Sequence, residues 1–405
     1  MRKNFLVLSI SSLLMMQNVY ASTSGNCGTR SGSGTQEDPY VYASNCTWVL
    51  EGTNLTISGS GEMGDFESVQ ISDNVYHTSA PWGVEVTNVT ISDGITSIGQ
   101  SAFLGTKDLR TVNGMNDVTT IGGGAFNNSG LTSISLPNSV TSLGAGAFGS
   151  CFNLSDITLS NSLESISRAI FWDTPNLTSL TIPSSVTTLE FAAFDGSNIT
   201  SLVVPSTVTS IESAAFAHTP NLTSLVIEGT PDMIGDVFYA IGQDYDMVSG
   251  NTRPLTIYCL ASVGCGEKAD GTKAAVTEYS KDGNGFYQID DKLYATADLM
   301  THNAACDNAA NCQAILDAAS QGKAFEVGGK YYATLDLFAN GAACTDKKNC
   351  EDILSSNGNP FKVGSKIYNS LADFANGNYV KHRIYTIEEA NFVSGDKNRV
   401  SIKYR

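Results

Sequence analysis

Between residues 86 and 238 the apolar positions come in short clusters, separated by Ser, Thr, Asn and Gly, that suit neither a long helix nor a conventional run of strands. The stretch from Leu131 to Leu154, LTSISLPNSVTSLGAGAFGSCFNL, shows the grammar, which returns at shifts of 22 or 23 residues. Its Phe148 has counterparts at Phe103, Phe126, Phe171, Phe194, Phe216 and Phe238. Self-similarity at this period marks a stacked repeat, in which a unit buries its apolar side only against its neighbours. In the unit beginning at Leu177, Leu177, Leu180 and Ile182 point inward and Thr181 outward, giving one short strand ended by Pro183. Val186 and Leu189 mark a second apolar step, and Ala193 and Phe194 a third, too short for more than a helical turn. The second unit, Arg110 to Gly130, is the least regular, with VNGMNDV in place of a clean strand.

The flanks carry different patterns. Before the repeats, Trp48, Leu50, Leu55 and Ile57 alternate with polar residues around a Glu51-Gly52 turn and predict a β-hairpin. A repeat stack with a bare first unit would expose its core, so residues 22–85 are read as an N-terminal β cap closed by Ala80-Pro81-Trp82. Residues 86–238 form about seven repeats, and residues 239–284 an exit cap and linker containing one last strand, LTIYC. From residue 285 to 405 a second repeat family appears, FYQIDDKLYATADLM, FEVGGKYYATLDLF and FKVGSKIYNSLADF. Each copy predicts a hairpin entering a short helix, with tight turns at Asp290-Asp291, Gly328-Gly329 and Gly364-Ser365. The first two copies continue through a Cys-x5-Cys loop into a further helix; the third has no cysteines. Its tail predicts a strand around Arg383 to Thr386, a helix beginning near Ile387, and a closing strand Arg399 to Tyr404.

Composition adds a compartment. Arg2 and Lys3 precede an apolar core from Phe5 to Met16, and small residues at Val19 and Ala21 precede Ser22, so residues 1–21 read as a secretory signal. No later apolar run is long enough to span a membrane. In an exported chain the cysteine spacings predict disulfides Cys27/Cys46, Cys259/Cys265, Cys306/Cys312 and Cys344/Cys350. A metal site would prefer tighter CxxC spacing with histidines nearby. Cys151 is left over, in a slot that neighbouring units fill with Thr106, Thr174 and Thr219, and reads as a packed thiol. The formal net charge of −17 and the absence of clustered Lys and Arg disfavour nucleic acid, and none is expected as a partner.

Chemistry is sparse. GSGEMG from Gly59 and GAGAFG from Gly144 match the dinucleotide fingerprint, which needs a following helix long enough to face a pyrophosphate; Gly144 has no room for one before the next repeat strand at about Ile157, and nucleotide binding is not expected. DGNG at Asp282 starts like a calcium loop, yet Phe286 stands where an oxygen ligand belongs, so a hairpin turn is the reading. No nucleophile elbow, Walker loop, HExxH or Cys-His pairing occurs, and neither catalytic residues nor cofactors are assigned. Sequons at Asn153, Asn176, Asn198 and Asn221 recur at one place in the repeat and are read as turn residues. The candidate contact surface is the outward face of the successive strands: Asn88, Thr90, Ser133, Ser135, Asp156, Thr158, Ser179, Thr181, Ser201, Val203, Ser224 and Val226. This Ser/Thr-rich strip has few aromatic or Arg anchors, so weak, multivalent recognition is expected.

The repeat L-T-S-L-x-I-P-x-S-V-T-x-I-x-x-x-A-F-x-x-x-x-N-L resembles the BspA-type leucine-rich repeat, also called the Treponema pallidum type. CTWVLEGTNLTISGSGEMGDF followed by APW resembles the region that often precedes such repeats. The resemblance implies a leucine-rich-repeat solenoid, mostly β with short helical turns and a concave parallel sheet. It also implies an exported or surface protein, without catalytic residues, associated with adhesion to host matrix proteins and other cells. Members often carry Cys where this chain has Thr106, Thr174 and Thr219. The C-terminal third, read as small disulfide-stapled α+β repeats, lies outside the resemblance. Taken together, these readings describe a secreted or cell-surface binding protein for a protein or glycan partner, with a structural display stalk as the alternative.

Overall fold

The computed structural model describes residues 24–32, 41–73, 75–233, 237, 255–260, 274–356, 359–364, 366–368, 370–377, 387–392 and 400–404. The predicted signal segment, Phe238, residues 239–254, Cys265 and the strand expected at residues 383–386 lie outside them. The chain divides into two compact units, Met1–Ser280 and Lys281–Arg405.

The first unit is organised by two ladders of short strands. One begins with the predicted hairpin, Cys46–Glu51 against Asn54–Gly59, in which Trp48 faces Ile57 and Leu50 faces Leu55. Its loop is Gly52-Thr53, one residue beyond the expected turn, and Gly52 adopts φ +62°. Cys27–Cys46 staples the hairpin to Ser24–Asn26, which pairs antiparallel beside it. Asn54–Gly59 then pairs parallel with Asn88–Ile91, and Asn88–Ile91 with Thr111–Gly114. The stretch expected to be irregular, VNGMNDV, therefore supplies a strand. The ladder resumes as Ser133–Ser135 with Asp156–Thr158, and again as Ser201–Val204, Ser224–Ile227 and Leu255–Leu260. The strand expected in the Leu177 unit does not form; only Thr178 keeps a rung, its carbonyl accepting the Thr200 N–H at 3.0 Å. There the Asn176 side chain takes the Phe152 carbonyl at 2.6 Å, a side-chain bond competing with regular pairing.

The second ladder comes from the Val186/Leu189-type step. Gly61–Glu62, Ile95–Ile98, Thr120–Ile121 and Ser142–Leu143 pair in parallel, and so do Ser165–Ile166, Thr188–Leu189, Ser210–Ile211 and Asp232–Met233. Between the ladders lies the core, one contiguous cluster running from Cys27 to Cys259.

The third side of each repeat is a turn and not the expected helical one. Residues two before and two after each phenylalanine are left-handed: Gly124 and Asn128 around Phe126 (φ 59° and 54°), Ala192 and Gly196 around Phe194 (56° and 71°). A left-handed residue every fourth position stops an α-helix from propagating. The amides turn instead to the next repeat, as where Phe126 N–H donates to Ala147 O at 2.9 Å and Phe194 N–H to Ala215 O at 2.9 Å. Inside these turns the rings of Phe103, Phe126, Phe148, Phe171, Phe194 and Phe216 form a column, with centroid spacings of 5.3, 5.5, 6.4, 5.8 and 5.6 Å. Trp82 begins the column, 5.7 Å from Phe103, with its indole N–H bonded to Ala102 O.

The second unit repeats a smaller module. Hairpins Tyr287–Ile289/Lys292–Tyr294, Phe325–Val327/Lys330–Tyr332 and Phe361–Val363/Lys366–Tyr368 turn where expected. They lead into helices Ala297–Thr301, Leu335–Ala339 and Leu371–Ala375, capped by the hydroxyls of Thr296, Thr334 and Ser370. Two copies are stapled by Cys306–Cys312 and Cys344–Cys350. Asn311 and Asn349, in the helices Ala309–Ser320 and Lys347–Leu354, each donate a side-chain amide to the following hairpin, at Glu326 O and Lys362 O. Asp282 closes the DGNG turn by accepting the amides of Asn284 and Phe286, both at 2.9 Å. The helix expected near Ile387 is instead the strand Ile387–Phe392, paired antiparallel with Val400–Tyr404. Its Ile-Glu-Glu-Ala start suits a helix, and the tertiary pairing overrides that local preference.

Two outcomes are expected from this packing. Phe126→Ala should lower unfolding free energy by about 3–5 kcal/mol in denaturant titrations, because the slot is closed by rings on both sides. Gly124→Ala should cost about 1–2 kcal/mol, since a Cβ there meets nothing closer than 3.8 Å and the cost is that of a left-handed alanine.

Candidate binding surface

The strip predicted from the first ladder is only partly available. Thr90, Ser133, Ser135, Asp156, Thr158, Ser179 and Thr181 are exposed, while Asn88, Ser201 and Val203 are half-buried. Ser224 and Val226 are buried at 7% and 1% exposure, because all four residues of Ser224–Ile227 are covered on both faces; these two leave the strip. Asn88 is occupied by its neighbours: its side-chain amide donates to Asn54 Oδ1 at 2.8 Å and its oxygen accepts from Thr111 at 2.7 Å. Hydroxyls beside the strip turn to the previous repeat, as Ser155 does to Thr132 O and Thr223 to Thr200 O. Ser179 and Thr181 do not continue the ladder. What remains is a flat row of short side chains.

The second ladder offers more relief. Its outward column is Ser97, Thr120, Ser142, Ser165, Thr188, Ser210 and Asp232. Two depressions open on it, and none of their lining residues belongs to the first strip. One, of about 450 Å³, is bordered by Arg30, Glu62, Asp65, Ser97 and Thr120. Beside it Arg30 pairs with Glu67 at 2.6 Å, and Asp65 accepts the Gln100 amide at 2.7 Å. The other, of about 390 Å³, is formed by Ser142, Leu143, Glu164, Ser165, Ser167 and Glu190. Glu190 is held by the Ser165 hydroxyl at 2.7 Å and the Arg168 amide at 2.9 Å. Sequence reasoning missed this face because two-residue strands are too short to display an alternation; the recurring T-x-I/L step was its one trace.

The turn side carries the exposed aromatics of the repeats, Phe152, Trp172 and Phe191, and the pair His218 Nδ1 to Asp195 at 2.8 Å. Burial, reinforced by the charge of Asp195, raises the Asp173 carboxyl above its ordinary range. Gly146, in the glycine fingerprint, is one of the left-handed turn residues. Among the described residues no group of His, Cys, Asp and Glu could hold a metal, and no helix is long and apolar enough to cross a membrane.

Six copies of the BspA type leucine rich repeat region match this chain, over residues 70–200 and 164–244. The chain carries a BspA-type leucine-rich repeat region. Solved structures with similarity include a leucine-rich repeat protein from Eubacterium ventriosum, 22% identical, covering 54% of this chain and 71% of that one with a TM-score of 0.27. The T. pallidum leucine rich repeat protein is 20% identical, over 48% of this chain and 85% of its own, with a TM-score of 0.30. A leucine rich cell surface protein from Faecalibacterium prausnitzii is 18% identical over 60% and 96%, with a TM-score of 0.27. No curated protein matches the chain.

In the BspA-type repeats the position three after the phenylalanine is a buried polar slot. Thr106, Thr174 and Thr219 donate their hydroxyls to the carbonyls of Phe103, Phe171 and Phe216 at 2.7–2.9 Å. Cys151 fills the slot in its unit, donating to Phe126 O at 3.1 Å with the Ser129 hydroxyl 3.4 Å from its sulfur. Burial pushes its thiol up to about 11, and the Ser129 bond offsets only part of that. Of the expected disulfides, Cys27/Cys46, Cys306/Cys312 and Cys344/Cys350 are formed. Cys259 is disulfide-bonded, and its expected partner Cys265 lies outside the described residues.

The thiol gives a pH prediction. The folded-state value lies above the ordinary 9.0, so the protonated thiol's contribution is complete below pH 9 and lost as pH rises toward 11. Native Cys151 should resist alkylation at pH 8 and react fully in denaturant, as measured by mass spectrometry of the labelled peptide; Cys151→Thr should reduce the alkaline loss of stability by the thiol's share, leaving that of the half-buried Tyr258 and the buried Tyr279.

Proposed function

We propose that this is an exported or cell-surface binding protein whose BspA-type repeats contact a protein or glycan partner through the outward face of the second ladder. The observation that carries the reading is the pair of depressions on that ladder, each lined by two carboxylates and several Ser or Thr residues, with Arg30 beside the first. Recognition there is weak per repeat and gains from several repeats acting on one partner. The N-terminal hairpin serves as the cap that ends the core, and the stapled C-terminal copies serve as a second binding or attachment module. Export is supported by the signal-like residues 1–21 and by three disulfides, which persist in oxidising compartments. The net charge of −17 favours neutral or basic partners over nucleic acid. The description ends at binding, with no catalytic step.

The test is a binding screen of the full chain and of Lys281–Arg405 against matrix proteins, mucins and cell-wall polymers. The full chain should bind at least one of them, and the C-terminal fragment should not reproduce it. If the fragment binds as well as the full chain, the repeats are a spacer and the reading fails.

A further inference from the structure

The 390 Å³ depression lies where the second ladder is interrupted, between Ser142–Leu143 and Ser165–Ile166. Elsewhere an amide of the next repeat closes the rung: Gly144 N–H reaches Ile121 O at 2.7 Å, and Glu190 N–H reaches Ile166 O at 2.9 Å. Here the bond to Leu143 O comes from the Ser167 hydroxyl, at 2.6 Å. On the turn side of the same two repeats, Phe148 and Phe171 stand 6.4 Å apart, the widest spacing in the column. The two irregularities coincide at one seam.

The groups at the seam suit a polyol. Ser142 and Glu164 are exposed, and Glu190, fixed by two hydrogen bonds, keeps unused acceptor capacity. Next in the chain and outside the lining of the depression, on the turn that follows Glu190, Phe191 presents a ring that is 40% exposed, steadied by the Arg168 guanidinium 4.8 Å from its centroid. A sugar ring has an apolar C–H face that can lie on an aromatic ring, and hydroxyls that both donate to carboxylates and accept from serines. A protein partner anchored by a large apolar side chain would need a deep apolar pocket, and here only Leu143 and Ala145 among the lining residues are apolar. The volume lies at the small end of ligand sites, which run from roughly 300 to 1,000 Å³, enough for a short segment of chain. Carboxylates on the wall disfavour acidic sugars.

Resting on the reading of the repeats as a binding surface, we propose that the seam groove binds a short neutral glycan segment. One sugar stacks on Phe191, and its hydroxyls bond to Glu164, Glu190 and Ser142.

The full chain should retain neutral oligosaccharides on a glycan array in preference to sialylated or sulfated ones. In titration calorimetry with the best oligosaccharide, Phe191→Ala should weaken binding about fivefold or more, and Glu164→Gln about threefold to tenfold. Thr158→Ala, on the first strip, should leave it unchanged. Phe191 and Glu164 are surface residues, so unchanged thermal melts will confirm that the variants are folded. No glycan retained, or affinity indifferent to both substitutions, overturns the inference. If the chain then still binds a matrix protein through its repeats, the proposed function stands without it; if the repeats bind nothing, both fall.

Discussion

The first unit depends on ring-on-ring stacking along one axis. A single repeat of 22 or 23 residues exposes its phenylalanine, its leucines and its unpaired amides together. The next repeat satisfies all three at once: its ring covers the ring, its strand residues complete the core, and its carbonyls receive the amides. Because those contacts form or fail as a set, the repeats have no stable existence alone. The terminal hairpin and Trp82 become requirements of the same interaction, since the first ring needs a partner that no preceding repeat supplies.

That requirement also accounts for the strained turns. Aiming the Phe126 amide at Ala147 and the Phe194 amide at Ala215 needs a backbone that alternates hand, and a helix would point the same amides along its own axis. Glycine takes the left-handed place at Gly124 and Gly146, but alanine takes it at Ala169, Ala192 and Ala214. A left-handed alanine costs on the order of 1–2 kcal/mol, which the stacking and inter-repeat bonds over-determine locally.

How much of this could be read in advance follows from how local each signal was. The phenylalanine period, the C-terminal hairpin turns and the short Cys-x5-Cys bridges are written in neighbouring residues, and they were legible. The second ladder was not, because Thr120–Ile121 and Ser142–Leu143 are too short to alternate. The burial of Ser224 and Val226 depends on what covers a strand, which its own alternation does not encode. The Leu177 unit shows the converse. It matches the repeat well, yet its strand does not form, and Arg110 to Gly130 matches poorly but supplies the strand Thr111–Gly114, since the preceding strand Asn88–Ile91 fixes the register there.

A perfectly regular stack would offer the same small hydroxyls at every level and could not tell one partner position from another. Specificity must come from departures. The position three before each phenylalanine carries Gln100, Gly123, Ala145, Arg168, Phe191 and Ser213 in turn, so an exposed ring and a stacked guanidinium occur at adjacent levels and at no other of these six. The guanidinium's level adjoins the seam where the rung to Leu143 is made by a hydroxyl and the ring spacing is widest, and the exposed ring stands one level beyond. Under the glycan proposal, their place beside this interruption of the second ladder is what would let a ligand distinguish one level of an otherwise repetitive surface, since among the described residues the ladder is continuous on either side of it.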